Sequence, residues 1–166
     1  MSPQYSIELL GSKHHRAAFS CGIEALDRYL REQASQDMRR RANSCFVAVD
    51  TVTSALAGYY TLSAAGIPCT DLPEHLLKKL PRYPFVPVAL LGRLAVDKTF
   101  QGKNLGAALL GNAIQRSLRS EVAVAAIVVI AKNEQAESFY RHHDFLLFGN
   151  LPRQLILPLS SYRLNT

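Results

Sequence analysis

The residues Leu94-Ala-Val-Asp-Lys-Thr-Phe-Gln101-Gly102-Lys103-Asn104-Leu105-Gly106 pass from an apolar run, through a short glycine-containing turn, into the periodic segment that opens with Ala107-Ala-Leu-Leu110. Such a turn aims several backbone N–H groups outward, where the positive end of the following helix reinforces them. The chemistry this suits is binding of a phosphate or pyrophosphate. Lys103 adds a point charge inside the turn. The spacing is not that of a P-loop, because no Gly-Lys-Ser/Thr closes it, and it is not the dinucleotide pattern G-x-G-x-x-G.

A second constellation, Asn133-Glu-Gln-Ala136-Glu-Ser-Phe139-Tyr140-Arg-His-His-Asp144-Phe145, follows directly on the buried-strand pattern Val122–Ile130. Together the two segments resemble the signatures of the GNAT acetyltransferase family: the Q/R-x-x-G-x-G/A acyl-CoA loop and N-x-x-A-x-x-F-Y-x-x-x-G-F. Their order, with strand, loop, helix, strand and helix in succession, fits as well. Asn104 and Asp144 each stand where the family has glycine. Asn tolerates a left-handed backbone better than most residues, and Asp adopts turn conformations, so both are expected to keep their turns.

The resemblance implies acetyl-CoA as co-substrate and no metal. It assigns Gln101, Gly102, Lys103, Asn104, Leu105 and Gly106 to the pyrophosphate, mostly through backbone N–H groups, and Leu94, Ala95 and Val96 to the thioester and pantetheine arm. A backbone N–H on that strand would polarise the thioester carbonyl. Asn133 is expected to touch the coenzyme and to cap the following helix. Tyr140 takes the family's general-acid position: a phenol near the sulfur protonates the departing thiolate. Phe139 is the core aromatic of the pair.

Within the family the chain is most similar to the toxin branch of toxin–antitoxin pairs, the TacT-like and AtaT-like enzymes. The likeness rests on Phe19-Ser-Cys-Gly-Ile-Glu-Ala-Leu-Asp-Arg-Tyr-Leu30, Gly58-Tyr-Tyr-Thr-Leu62, Leu80-Pro-Arg-Tyr-Pro84 and Leu91-Gly-Arg-Leu-Ala-Val-Asp97, and it covers nearly the whole chain. It implies acetylation of the α-amino group of aminoacyl-tRNA, which blocks translation. It also implies control by a ribbon-helix-helix antitoxin, through which alone operator DNA is bound, and a homodimer.

No general base is visible. The strand Val122–Ile130 carries no carboxylate or histidine, and the preceding one offers only Arg93 and Asp97. A lysine acceptor, with a pKa of about 10.4, needs its proton removed, whereas an α-amine at about 7.7–8.0 is partly neutral at pH 7. The absence favours an α-amine acceptor. Two rivals remain: a GNAT enzyme acting on a protein or small-molecule amine, and a decayed GNAT module that only binds a partner. Cys45 and Cys69 are candidate acyl-accepting thiols, but neither has a histidine beside it in sequence.

Composition is consistent with these readings. The 166 residues, 48% hydrophobic, suit one domain over 1–166. A net charge of +6 asks for an anionic partner, and nucleic acid accounts for it better than coenzyme A alone. Arg39, Arg40 and Arg41 either complement a helix C-terminus or contact the tRNA backbone, with Lys78, Lys79, Arg82 and Arg93 as further contacts. The adjacent pairs His14-His15 and His142-His143 lack metal-ligand spacing. Three cysteines with no C-x-x-C pair, no leader pattern at the N-terminus and no apolar run long enough for a bilayer point to a reduced, cytoplasmic setting with no membrane.

The elements that must position these residues alternate. Strands are expected at 5–10, 44–49, 55–62, 88–96, 122–131, 145–148 and 154–159, and helices at 22–40, 73–80, 104–120 and 133–143. In the first helix Ile23, Leu26, Leu30, Ala34 and Met38 form one apolar stripe. Pro81–Pro87 is expected as an extended connection. The fold class is mixed α/β: the GNAT fold, with about seven mostly antiparallel strands flanked by about four helices.

Overall fold

The computed structural model describes residues 4–162. In chain order the strands are β1 (Tyr5–Leu9), β2 (Ser44–Asp50), β3 (Leu56–Pro68), β4 (Phe85–Val96), β5 (Ala126–Ile130), β6 (Leu146–Leu147) and β7 (Gln154–Pro158). The helices are α1 (residues 24–39), α2 (Glu74–Leu77), α3 (Leu105–Arg119) and α4 (Glu134–His142). Neighbouring strands run β1-β2-β3-β4-β5-β7-β6. Pairing is antiparallel for β1/β2, β2/β3, β5/β7 and β6/β7, and parallel for β4/β5. The expected mixed sheet and four helices are therefore present.

The described chain forms two compact units, one from residues 4–63 and 93–113, the other from 64–92 and 114–162. In the first, side chains alternate across the strands as the period of two demands. Cys45, Val47, Tyr59 and Ala95 face α1, in a core with Leu10, Phe19, Tyr29, Leu30 and Ala34. Gly58 and Tyr60 face the other way, toward α3. A Cβ on Gly58 would lie 2.9 Å from the Ala95 carbonyl oxygen and 2.9 Å from Leu109 Cδ1, so only glycine fits this approach. The Tyr60 hydroxyl donates to Asn112 Oδ1 on α3 at 2.6 Å.

The second unit packs Leu72, Leu76 and Leu80 against Val86, Val88, Ala126, Val128, Phe148 and Ile156. Parallel pairing of β4 with β5 runs from Val88↔Ala126 to Leu91↔Val129. Since β5 ends at Ile130, Leu94–Val96 extends past the end of that pairing.

Several boundaries differ from expectation for identifiable reasons. Only Glu74–Leu77 of the segment 73–80 is helical, because Pro81 disfavours helical geometry in the residue before it. Strand β4 begins at Phe85 and includes Pro87, whose carbonyl accepts from Ala125 N–H at 2.8 Å although it has no donor of its own. β5 starts at Ala126, where its pairing with Val88 begins, and Val122 lies outside, 75% exposed. Helix α1 is interrupted by a π turn over Tyr29–Gln33, and Ile23 is an exposed residue just ahead of it.

Candidate active site

The turn expected to hold the coenzyme, residues 97–106, lies in the first unit. Asp97, 8% exposed, spends its carboxylate on two backbone donors, Ser20 N–H and Thr99 N–H, each at 2.9 Å. It is a cap and a clasp, and its oxygens are committed to those bonds. Gln101 Nε2 donates to Val96 O at 2.8 Å and Cys21 O at 3.1 Å, while Lys98 N–H donates to Ser20 O at 2.8 Å. The turn is thus stitched to the loop that precedes α1. That loop is in turn held by Asp27, a buried carboxylate accepting from Cys21 N–H at 2.9 Å.

Gly102 and Asn104 both lie in the left-handed region, at φ +77° and +63°. Asn104 therefore performs the backbone task of the glycine it replaces. Gln101, Gly102, Lys103 and Asn104 are exposed, whereas Leu105 is buried as the first anchor of α3, at 2% exposure. The first N–H groups of α3 have no acceptor within the helix, as at any helix N-terminus. Lys103 Nζ stands 5.8 Å from the Phe100 ring. Replacing Asn104 with Gly is expected to leave coenzyme affinity unchanged. A Val there, β-branched at positive φ, is expected to weaken it about ten-fold, since the left-handed conformation costs roughly 1–2 kcal/mol. Calorimetric titration with acetyl-CoA checks both.

The second unit carries Asn133 and Tyr140. Asn133 Oδ1 accepts from Ala136 N–H at 2.8 Å, the N-cap of α4. Tyr140 is placed by the other end of the helix. Phe145 N–H donates to Tyr140 O at 3.1 Å and Asp144 N–H to Arg141 O at 3.1 Å, with Asp144 at φ +73°. This is a Schellman closure, whose hydrophobic contact joins Tyr140 and Phe145, ring centroids 5.3 Å apart. Asp144 takes the left-handed position of the missing glycine. The tyrosine is 8% exposed, yet its hydroxyl makes no hydrogen bond to any described residue and is not among the enclosed unpartnered atoms. The ring is packed between Phe139 and Phe145. Burial raises the phenol above its ordinary range, so it is a neutral O–H donor at physiological pH.

Cys45 is fully buried in β2, and desolvation pushes its thiol up to about 12, which removes it as a nucleophile. Cys69 is half-buried. His14 is occupied by Glu8 at 2.8 Å and by Gly11 N–H at 2.9 Å. Among the described residues no three metal-ligating side chains converge, and no helix is long and apolar enough to cross a membrane.

The basic residues divide between the units. Arg39, Arg40 and Arg41 end α1, all exposed, and Arg41 sits at φ +59° in a second Schellman closure, with Ala42 N–H on Asp37 O at 2.8 Å. Arg93 lies on Tyr29. Lys78, Lys79 and Arg82 are exposed in the second unit. Sequence reasoning missed Tyr29, which neighbours the expected stripe and is buried in the core of the first unit at the start of the π turn.

The sequence pattern of the acetyltransferase (GNAT) family matches residues 12–145. The chain belongs to this family. It is 34% identical over 148 residues to a tRNA-acetylating toxin of Mycobacterium tuberculosis, covering 88% of this chain and 87% of the relative. Among solved structures, AtaT complexed with acetyl-methionyl-tRNAfMet superposes with a TM-score of 0.87 at 29% identity, over 95% of this chain and 96% of that one. A tyrosine-to-phenylalanine variant of AtaT, bound to the C-terminus of the antitoxin AtaR and to acetyl-CoA, gives 0.79 at 25% identity, over 96% of each chain. The GNAT signatures noted above lie on the turn between β4 and α3 and on α4.

Proposed function

We propose that this chain is a toxin N-acetyltransferase that moves the acetyl group of acetyl-CoA to the α-amino group of aminoacyl-tRNA and so blocks translation. The observation that carries the reading is the 34% identity, over nearly the full length of both chains, to a tRNA-acetylating toxin. The missing base supports it. Asp97 was the one carboxylate beside the turn, and its oxygens are held by backbone N–H groups.

In this reading the amine attacks the thioester carbonyl while a backbone N–H of Leu94–Val96 polarises it, and Tyr140 protonates the leaving coenzyme thiolate. Gln101–Gly106 hold the pyrophosphate, with the Gln101 side chain fixing the turn and the backbone making the contacts. Asn133 adds a coenzyme contact to its capping role. Arg39, Arg40, Arg41, Lys78, Lys79, Arg82 and Arg93 meet the tRNA backbone. Residues 1–166 act as one catalytic domain, in the cytoplasm and as a homodimer. The proposed partner is a ribbon-helix-helix antitoxin, with operator DNA bound only through it.

Transfer of radiolabelled acetyl from acetyl-CoA to total charged tRNA tests the reading; label found only on protein or small amines overturns it. The pH profile is a second check. A raised Tyr140 stays in its acid form through neutral and mildly alkaline pH, so kcat/KM is expected to rise through the α-amine pKa, about 7.7–8.0 or somewhat below, and then hold a plateau up to about pH 10. A descending limb near pH 8 would assign the acid to another group.

A further inference from the structure

Arg93 immediately precedes Leu94–Val96 on β4, and its guanidinium carbon lies 3.5 Å from the centroid of the Tyr29 ring. The ring is itself immobilised. It stacks on Tyr59 at 6.4 Å and 14°, its hydroxyl donates to Asp37 Oδ2 at 2.7 Å, and Asn43 Oδ1 lies 3.0 Å from that hydroxyl. Gln33 Nε2 holds the other Asp37 oxygen at 2.9 Å.

The π turn makes this clamp possible. Eight residues separate Tyr29 from Asp37, which in a regular helix leaves them roughly 80° out of phase; one inserted residue brings them to within about 20°. The bond from Tyr29 to Asp37 therefore depends on the π turn.

What the clamp presents is a half-exposed arginine with its plane fixed and its donors unused. Among the described residues the guanidinium forms no ion pair and no hydrogen bond. A planar fork of N–H donors suits phosphate oxygens, which it meets two at a time. Such oxygens come from the coenzyme or from an RNA backbone. Arg93 shares with Ala95 the sheet face that packs on α1, whereas the coenzyme turn leads into α3 on the opposite face. The RNA is the source that geometry favours.

We propose that Arg93, laid flat on Tyr29, grips a phosphate of the acceptor RNA next to the reacting amine, with Tyr29 as the positioning residue that fixes the guanidinium plane. This rests on the aminoacyl-tRNA reading above.

Steady-state transfer to charged tRNA over a range of salt concentrations, paired with acetyl-CoA titration, tests it in Arg93→Gln, Arg93→Lys, Tyr29→Leu and Tyr29→Phe. Arg93→Gln is expected to raise KM for aminoacyl-tRNA about ten-fold, with acetyl-CoA affinity unchanged. It should also flatten the log–log salt dependence by about 0.7–0.9, one phosphate contact. Arg93→Lys and Tyr29→Leu should raise KM while keeping the wild-type salt slope, because the charge survives and the fixed plane does not. Tyr29→Phe keeps the ring beneath the guanidinium but loses the bond to Asp37, so its KM should rise less than that of Tyr29→Leu; if Tyr29→Leu does not fold, a raised KM at an unchanged salt slope in Arg93→Lys decides. An unchanged slope in Arg93→Gln overturns the proposal, as does a loss confined to acetyl-CoA affinity, which would assign the arginine to the coenzyme. No transfer by the wild-type protein overturns the aminoacyl-tRNA reading and this inference together; transfer with an unaltered Arg93→Gln overturns the inference alone.

Discussion

Tyr140→Phe is expected to lower kcat by about 10²–10⁴-fold, the range general acid catalysis contributes, with acetyl-CoA affinity and melting temperature unchanged. The substitution is well isolated. The ring contacts with Phe139, at 5.2 Å, and Phe145, at 5.3 Å, survive it. The removed hydroxyl has no hydrogen-bond partner among the described residues, so no buried donor or acceptor is orphaned. Deleting an enclosed, bonded tyrosine hydroxyl would instead cost stability, at roughly 1–3 kcal/mol for the group left behind. Single-turnover transfer to charged tRNA, with thermal denaturation alongside, separates the two cases. Retained kcat would mean that solvent protonates the thiolate and that Tyr140 is a packing residue.

The second large effect is expected at Gly58, outside the two GNAT signatures. Gly58→Ala places a methyl group 2.9 Å from a backbone oxygen, that of Ala95, and 2.9 Å from Leu109 Cδ1. The leucine can turn aside, but the carbonyl belongs to a strand and cannot. Overpacking of this kind costs about 1–3 kcal/mol, while the loss of glycine freedom in the unfolded chain returns only about 0.4–1 kcal/mol, so destabilisation wins. At roughly 2–4 °C per kcal/mol for a chain of this size, calorimetry should show a melting point lower by several degrees. Because Ala95 lies within the segment assigned to the thioester, activity should fall more than folded fraction does. An unchanged melting point would mean that β4 yields at this place, and that its geometry is less constrained than the packing implies.

Much of this molecule was legible in the linear chain. The turn at 101–106 and the Asn133–Phe145 segment are local structures, and each is specified by residues within a few positions of one another. The Schellman closure that sets Tyr140 needs only an amphipathic helix, a residue able to reach positive φ and an apolar residue after it; Asp144 and Phe145 supply both. Asn133 announces itself as an N-cap in the same way. Here short-range hydrogen bonding and the steric map of the backbone determine the outcome, and both are properties of sequence neighbours.

Other features are set by partners remote in the chain. Asp97 is the one carboxylate that the strand before the turn offers, and the sequence does not show what holds it; Ser20 N–H, 77 positions away, is one of the two donors that occupy it. Gln101 was expected to offer its backbone to the pyrophosphate, and no local pattern announced that its side-chain amide spans Val96 and Cys21. Tyr29 was not among the residues of the expected apolar stripe; its stacking on Tyr59 and its place beneath Arg93 are contacts between remote parts of the chain. No local rule encodes those pairings, because a buried polar group takes whichever partner the packed chain delivers. The sequence by itself determined the family's fold, the conformation of the turn at 101–106 and the closure that sets Tyr140, since each depends on local pattern. The tertiary structure alone decided which polar side chains are already spent on the scaffold and which, like Arg93, are left with donors to offer, since that depends on contacts across the sheet.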